Sequence, residues 1–384
     1  MGDELSHRRG LVAAIGLTVI AMAAFLVLPL YVGAAAQTLK LSQQQLGFLA
    51  ASAAAGSAIS SVVMMFLVRR MPWRRLGTAA LLLLLLPMIA SLLVEDALGF
   101  MALQGLAALG GGSTYSLALT ALADSRHPDR AFGLSLAAQV AFQVAGMLLL
   151  PRLVSGAGLD GVLGVFIALE LLGLLLVRWL PDAGKALPPA ASKAAIINLP
   201  VLLALGGCFF FFFNVGAVWT YIERMAVLAG FESQQTGIGL AIGVFFGIPG
   251  ALLASWCGDR FGRVGPLAVG AVGTLMALGL LNQAMPFATY VLAAALYNFV
   301  WNFSLAYQYA AVNAVDSGGR GVAAAPAFHG AGAAVGPALV ALYVTQTSLV
   351  AVNIAAGIAV TLSLLLFVWA IGLASGRVAP VQAT

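Results

Sequence analysis

Charge is what this chain has least of. Lys, Arg, Asp and Glu make up 8% of its 384 residues, against roughly 25% in an ordinary soluble domain, too few to solvate a surface in water. Cysteine is almost missing: Cys208 and Cys257 lie in apolar stretches, without zinc or redox spacing, and read as small buried hydrophobes. Histidine occurs three times, as His7, His127 and His329. There is no H-E-x-x-H, no Ser/His/Asp grouping and no run of acids, so no metal, no cofactor and no enzymatic activity are expected. A small-residue cleavage site after MGDELSHRRG is also lacking, which predicts an uncleaved first span. The Met-Gly-x-x-x-Ser opening fits a myristoylation pattern, but a lipid anchor adds nothing to a chain that already crosses the bilayer many times.

What is there is apolar. Hydrophobic residues are 62% of the chain and fall in segments of about 20, the length that crosses ~30 Å of hydrocarbon. The spans read as 11–33, 45–68, 76–94, 98–121, 132–155 and 161–180, then 200–221, 234–257, 265–283, 288–312, 322–345 and 349–373. The exception to short loops is the Pro-, Ala- and Lys-containing stretch 181–199, taken as a cytoplasmic linker between an N-terminal bundle, 1–180, and a C-terminal bundle, 200–384.

The net charge of +5 invites a nucleic-acid reading, but its carriers are scattered in short loops, as the positive-inside rule requires. With the N-terminus inside, fifteen basic residues are cytoplasmic: Arg8, Arg9, Arg69, Arg70, Arg74, Arg75, Arg126, Arg130, Arg178, Lys185, Lys193, Arg260, Arg263, Arg320 and Arg377. Lys40, Arg152 and Arg224 remain outside. Both termini are therefore expected in the cytoplasm, in a multi-pass chain whose Ala- and Gly-rich, short-looped character suits a bacterial inner membrane. The bilayer is the expected partner, nucleic acid is not, and a monomer is expected.

The chain also repeats. Tyr31, Gln44, Gln45, Gly47, Arg70, Arg130 and Gly146 recur 190 residues later as Tyr221, Gln234, Gln235, Gly237, Arg260, Arg320 and Gly336. Tyr115 and Asp124 recur at 192 as Tyr307 and Asp316. Each half starts and ends on the same side, so the halves are expected to be related by an axis along the membrane normal, as in many secondary transporters.

The turn after the eighth span, Gly258-Asp259-Arg260-Phe261-Gly262-Arg263, carries the D-R-x-G-R core of the G-x-L-A-D-R-x-G-R signature. With twelve spans and the repeat, the whole chain resembles the major facilitator superfamily. That resemblance implies an all-α membrane protein of twelve transmembrane helices in two pseudo-symmetric six-helix bundles. It also implies alternating access around a midplane cavity lined chiefly by the first, fourth, seventh and tenth spans. The signature reads physically as a latch: Gly262 allows the tight turn, while Asp259, Arg260 and Arg263 pair with charges at neighbouring helix ends. Natural partners are Asp124 and Arg130 and their repeats, Asp316 and Arg320. The alternative is a positive-inside loop with incidental acids. The first-half loop, Arg69-Arg70-Met71-Pro72-Trp73-Arg74-Arg75, has arginine where the family has aspartate. The family's basic residue on the fourth span is replaced by Met101, and its Gly-Pro antiporter signature is clearest as Gly332-x-x-x-Gly336-Pro337 on the eleventh.

Ionisable groups at membrane depth are functional candidates, because each costs at least ~2.5 kcal/mol to insert. Glu170 lies near the centre of the sixth span, a candidate proton carrier or a neutral acid bonded to a neighbouring helix. His329 is the one histidine at depth, with Gln139 as its repeat counterpart. It can bind solute or shuttle a proton, or bond a backbone carbonyl. Glu223 and Arg224 end the seventh span after Trp219; Arg224 can attract an anion, and an interfacial belt looks the same. As successive helical residues point about 100° apart, the two need not pair.

The tenth span holds Tyr297, Asn298, Trp301, Asn302, Ser304, Tyr307 and Gln308. Unpaired amides are unfavourable in hydrocarbon, so this span should face a cavity, although helix–helix contacts use the same residue types. The fourth span adds Gln104, Thr114 and Tyr115, and the seventh adds Phe209–Phe213 and Asn214. Such walls suit a small organic solute, partly apolar and aromatic, or a monocarboxylate. The expected activity is its secondary active transport by alternating access, coupled to protons through Glu170 or His329. A multidrug or lipophilic-compound efflux pump of the same fold is the alternative.

Overall fold

The computed structural model describes residues 2–182, 198–282, 284–316 and 320–375. The expected linker falls almost wholly outside these residues, as do Lys185, Lys193 and Arg377, and the side chain of Arg320 is not described either. The chain divides into two compact units, Met1–Ala191 and Ser192–Thr384.

Unit one holds α1 (Gly2–Leu26), α2 (Leu28–Thr38), α3 (Gln43–Leu67), α4 (Trp73–Ser91), α5 (Ala97–Ala123) and α6 (Pro128–Leu176). The first expected span is broken into α1 and α2 because Pro29 lacks an N–H and its ring opposes the preceding turn. The fifth and sixth spans run together as α6, with their joint at Gly158, whose φ of 59° and ψ of −148° leave the helical region. Unit two holds α7 (Leu199–Leu228), α8 (Ser233–Cys257), α9 (Val264–Leu280), α10 (Phe287–Val315), α11 (Arg320–Ala341) and α12 (Val350–Ser375).

Nine helices among the described residues are long and apolar enough to cross a membrane. The merged α6 counts once, α9 is short at 17 residues, and α10 is not among the nine. Its amides and tyrosines dilute its hydropathy.

Inside each unit the helices pack by the same scheme. In the first, α3 lies on α5, α4 on α5 and α6, and α1 and α2 on α6. In the second, α8 lies on α10, α9 on α10 and α12, and α7 on α11 and α12. Several repeated residues have a local job that explains their recurrence. Gln45 closes a capping box with Ser42, accepting the Ser42 N–H at 2.8 Å. Gln235 does the same with Glu232 at 3.2 Å, 190 residues on. Each box satisfies donors that a helix start otherwise leaves unpaired.

The cores follow. Leu17, Trp73, Leu81, Leu117 and Val177 are buried together in unit one, and Leu205, Cys208, Phe303, Val312 and Phe367 in unit two. Without a hydrophobic drive between helices in lipid, close approach of small residues matters most. On α11, a Cβ placed on Gly332 or Gly336 would stand 2.1 Å from the Phe209 carbonyl oxygen or 2.2 Å from that of Phe213. The Gly-x-x-x-Gly-Pro motif is thus a contact that seats α11 against α7.

Candidate functional site

Unit two gathers an aromatic cluster on the facing surfaces of α7, α10 and α11. Trp301 is at its hub, with ring centroids 6.0 Å from Trp219, 6.4 Å from Phe212 and 6.5 Å from Tyr297. The Tyr297 hydroxyl donates to Asn214, 3.3 Å from Oδ1. His329 stacks on Phe212 at 4.1 Å, and its Nδ1 is 3.4 Å from the Tyr309 hydroxyl. That contact occupies one ring nitrogen; the other, Nε2, is buried with no hydrogen-bond partner. His329 is 6% exposed, whereas Phe212 and Trp301 remain partly open. A ring-lined surface carrying one uncommitted imidazole nitrogen can stack a flat solute and read one polar atom on it.

The remaining polar residues of α10 turn elsewhere. Asn298 bonds the Ala294 carbonyl at 2.9 Å, and Asn302 bonds the Asn298 carbonyl at 3.0 Å beside Gly247 of α8. Ser304 abuts Gly270 of α9. The Tyr307 hydroxyl points to the Ala254 carbonyl of α8 at 3.5 Å. Gln308 is fully buried, and neither of its amide atoms has a hydrogen-bond partner. The stripe is therefore divided: Tyr297 and Trp301 join the cluster, while Asn302 and Tyr307 contact α8.

At the far end of α7 lie Glu223 and Arg224. They do pair, loosely, with Nη1 of Arg224 3.7 Å from Oε2 of Glu223. Long side chains close the angle that separates neighbouring helical positions.

Unit one presents a directed chain of hydrogen bonds instead of an aromatic cluster. Thr18 on α1 donates to the Ile15 carbonyl at 2.7 Å, so at the 2.7 Å contact with Ser135 of α6 it accepts. Ser135 in turn accepts from Gln139 at 3.2 Å, and Gln139 lies beside Tyr115 of α5. Gln139 and its counterpart His329 thus each meet a tyrosine. Glu170 is separate from this chain: it is 2% exposed and its Oε2 has no hydrogen-bond partner. It interacts electrostatically with Tyr31 of α2, whose hydroxyl is likewise unpartnered and whose ring packs on Phe166 and Phe100 at 5.6 and 6.4 Å.

The signature turn has the expected geometry within unit two. Gly262 has φ 63°, its N–H bonds the Asp259 carbonyl at 3.0 Å, and the Arg260 guanidinium stands 5.4 Å from the Trp256 ring centroid. Asp259, Arg260, Arg263 and Arg130 are exposed. Both candidate acids have partners inside their own units. Asp124 takes a two-pronged bond from Arg69, at 2.5 and 3.0 Å. Asp316 accepts the Gly321 N–H and so caps the start of α11. Arg69 occupies the place of the signature's missing aspartate, and Asp124 meets it with the opposite sign.

Thr18, Ser135, Phe212 and Tyr309 were not singled out from sequence. Ser135 had a readable signal, one helical turn before Gln139; Phe212 was one of five phenylalanines, and nothing marked which of them faces His329.

The chain matches the Major Facilitator Superfamily over residues 13–318. Among curated proteins none matches it significantly. Among solved structures, a mutant of the nucleoside transporter NupG is similar at 12% identity and a TM-score of 0.76, covering 96% of this chain and 99% of that one. A bacterial homologue of the human lysosomal transporter Spinster, inward-facing and unoccupied, is similar at 15% identity and a TM-score of 0.70, covering 98% and 99%. A D-xylose–proton symporter reaches 17% and 0.71, covering 93% and 96%. At these identities the likeness is one of fold.

Proposed function

The chain belongs to the major facilitator superfamily, and from that premise we propose that it moves a small organic solute with an apolar, aromatic body across a bacterial inner membrane. The two bundles, 1–180 and 200–384, alternate access to the solute, and both termini are cytoplasmic. The single observation that carries this reading is the Trp301 hub with Phe212, Trp219 and Tyr297 around it and the uncommitted Nε2 of His329 beside it. A sugar site would need more hydrogen-bonding side chains than these rings supply, and a phosphate site more arginine. Protons drive the movement, with Glu170 as the carrier: a buried carboxyl with an orphan oxygen next to an orphan tyrosine hydroxyl can hold a proton. A proton symporter of this fold supports that choice. The signature turn at Asp259–Arg263 controls opening.

The test is a thermal-shift screen of purified protein against amino acids, sugars, carboxylates and neutral aromatics at two pH values. A ligand at 100 times its Kd stabilises the folded state by about 2.7 kcal/mol, so the matching class stands out. Aromatic compounds are expected to stabilise the protein, and Trp301→Ala to remove the effect. Stabilisation by sugars that survives Trp301→Ala would overturn the reading. Equal response to many unrelated lipophilic compounds would select efflux.

A further inference from the structure

The outer end of α7 holds a group of polar atoms that the aromatic cluster does not use. Arg224 is only 13% exposed and Glu223 3%. Their contact of 3.7 Å is too long for a hydrogen bond, and Nε and Nη1 of Arg224 and Oε2 of Glu223 are all buried without hydrogen-bond partners. Tyr290, at the start of α10, is fully buried with an unpartnered hydroxyl and interacts electrostatically with Glu223. A guanidinium offers five donors in a planar fork; buried with two of its three nitrogens unmet, it is a site in want of an acceptor. Truncated hydrogen bonding of this kind is costly for a charged group.

Little else in unit two competes for it. Around the Glu223 end, the helices that pack on α7 bring Tyr290 from α10 and the exposed Glu232 at the start of α8. Between Val264 and Ala314, and from Ala324 to Ser375, the sequence contains no charged residue. The other titratable groups on these helices are Tyr221 and Cys208 of α7, Cys257 of α8, Tyr297, Tyr307 and Tyr309 of α10, His329 of α11, and Tyr343, exposed beyond α11. Trp219 is one helical turn from Glu223, so the aromatic hub and the ion pair are neighbours along α7.

We propose that Arg224 binds the carboxylate of an aromatic monocarboxylate whose ring lies on the partly open Trp301, and that Glu223 is displaced from Arg224 as it does so. This rests on the aromatic reading above and names the class of solute. Displaced from its cation and still buried, the Glu223 carboxylate takes one proton from solution. One carboxylate and one proton therefore enter together, and the bound site gains no net charge. The proton taken up at Glu223 compensates the charge of the solute and is distinct from the one that Glu170 carries.

The test uses the full-length protein in detergent with three probes: benzoate, benzamide and propionate. Binding is read by isothermal titration, and proton uptake by a pH-indicator dye in weak buffer. Benzoate is expected to bind at least tenfold more tightly than benzamide, with about one proton taken up per molecule bound. Glu223→Gln should keep benzoate binding and abolish the proton uptake. The neutral double variant Glu223→Gln/Arg224→Gln, which leaves no unpaired buried charge, should bind benzamide as before and lose benzoate. Benzamide binding as well as benzoate, or benzoate binding unchanged in the double variant, would overturn the carboxylate site and leave the aromatic reading standing. Propionate binding as tightly as benzoate with the same proton uptake would sink the aromatic reading and keep the Arg224–Glu223 exchange. Failure of all three probes to bind would refute both.

Discussion

Gly332→Ala tests whether the contact between α7 and α11 sets the geometry of the aromatic cluster. The added Cβ would stand 2.1 Å from the Phe209 carbonyl oxygen and 2.9 Å from the Phe213 nitrogen. A relaxed C···O contact is about 3.3 Å, so α11 must move off α7 locally by roughly 1.2 Å, the difference between 3.3 and 2.1. The obstacle is helix backbone and cannot rotate away. Overpacking of this kind typically costs about 1–3 kcal/mol. His329 lies three residues before Gly332 on the same face, and Phe212 three residues after Phe209, so the same movement opens their 4.1 Å stack. Gly372→Ala is the control: it sits exposed on α12 with nothing within 4 Å of its Cβ position. Replacing glycine inside a helix there should stabilise by about 0.5–1 kcal/mol. The assay is thermal denaturation in detergent together with aromatic-solute affinity. Gly332→Ala should lower the Tm by several degrees and weaken solute binding, while Gly372→Ala leaves binding alone and raises the Tm slightly. Equal Tm values and equal affinities for the two variants would refute the reasoning.

Three further experiments address the rest of the mechanism. Glu170→Gln should lower proton-driven accumulation in proteoliposomes while solute counterflow continues; accumulation at the normal level would remove Glu170 from coupling. Asp259→Asn should slow turnover more than it weakens binding, and a collapse of affinity at unchanged turnover would end its role in opening. A double-mutant cycle of Arg69→Gln and Asp124→Asn should give a coupling of about 1–2 kcal/mol, above the range for exposed pairs because the contact is two-pronged and partly buried. A coupling near zero by chemical denaturation would show that the pair does not tie the end of α3 to the end of α5.

Much of the fold was readable because membrane length and charge asymmetry are strong constraints. Most spans lie within a few residues of the helices, but α1 starts at Gly2 where the span was expected from 11, α7 continues to Leu228 where it was expected to end at 221, and backbone chemistry intervened at Pro29 and Gly158. Neither backbone break is visible in hydropathy, since proline is tolerated in membrane helices and glycine is common in them. The repeat was readable as identities, but its reasons were not. Gln45 and Gln235 recur as helix caps. Arg69 stands where the signature has aspartate, and its pairing with Asp124, 55 residues on, depends on the fold and not on local sequence.

The candidate site was legible as composition and not as direction. The polar, aromatic residues of α10 were evident, yet an α-helix distributes seven of them around its whole circumference. A hydrophobic stripe reveals its face in water because the opposite face is polar; in lipid both faces are apolar, so that contrast is gone. Direction came instead from small residues on neighbouring helices. Gly247 of α8 accommodates Asn302, and Gly270 of α9 accommodates Ser304, so those faces are taken and Trp301 and Tyr297 are left toward α7. The same logic identifies Arg224 as unusual. Asn298 and Asn302 settle their polar atoms on their own helix, at carbonyls four residues back, a solution open to any short amide. The Arg224 guanidinium, four residues from the end of α7, makes no such bond through Nε or Nη1. Its two orphan nitrogens are evidence about a ligand, whereas the asparagines are evidence about packing.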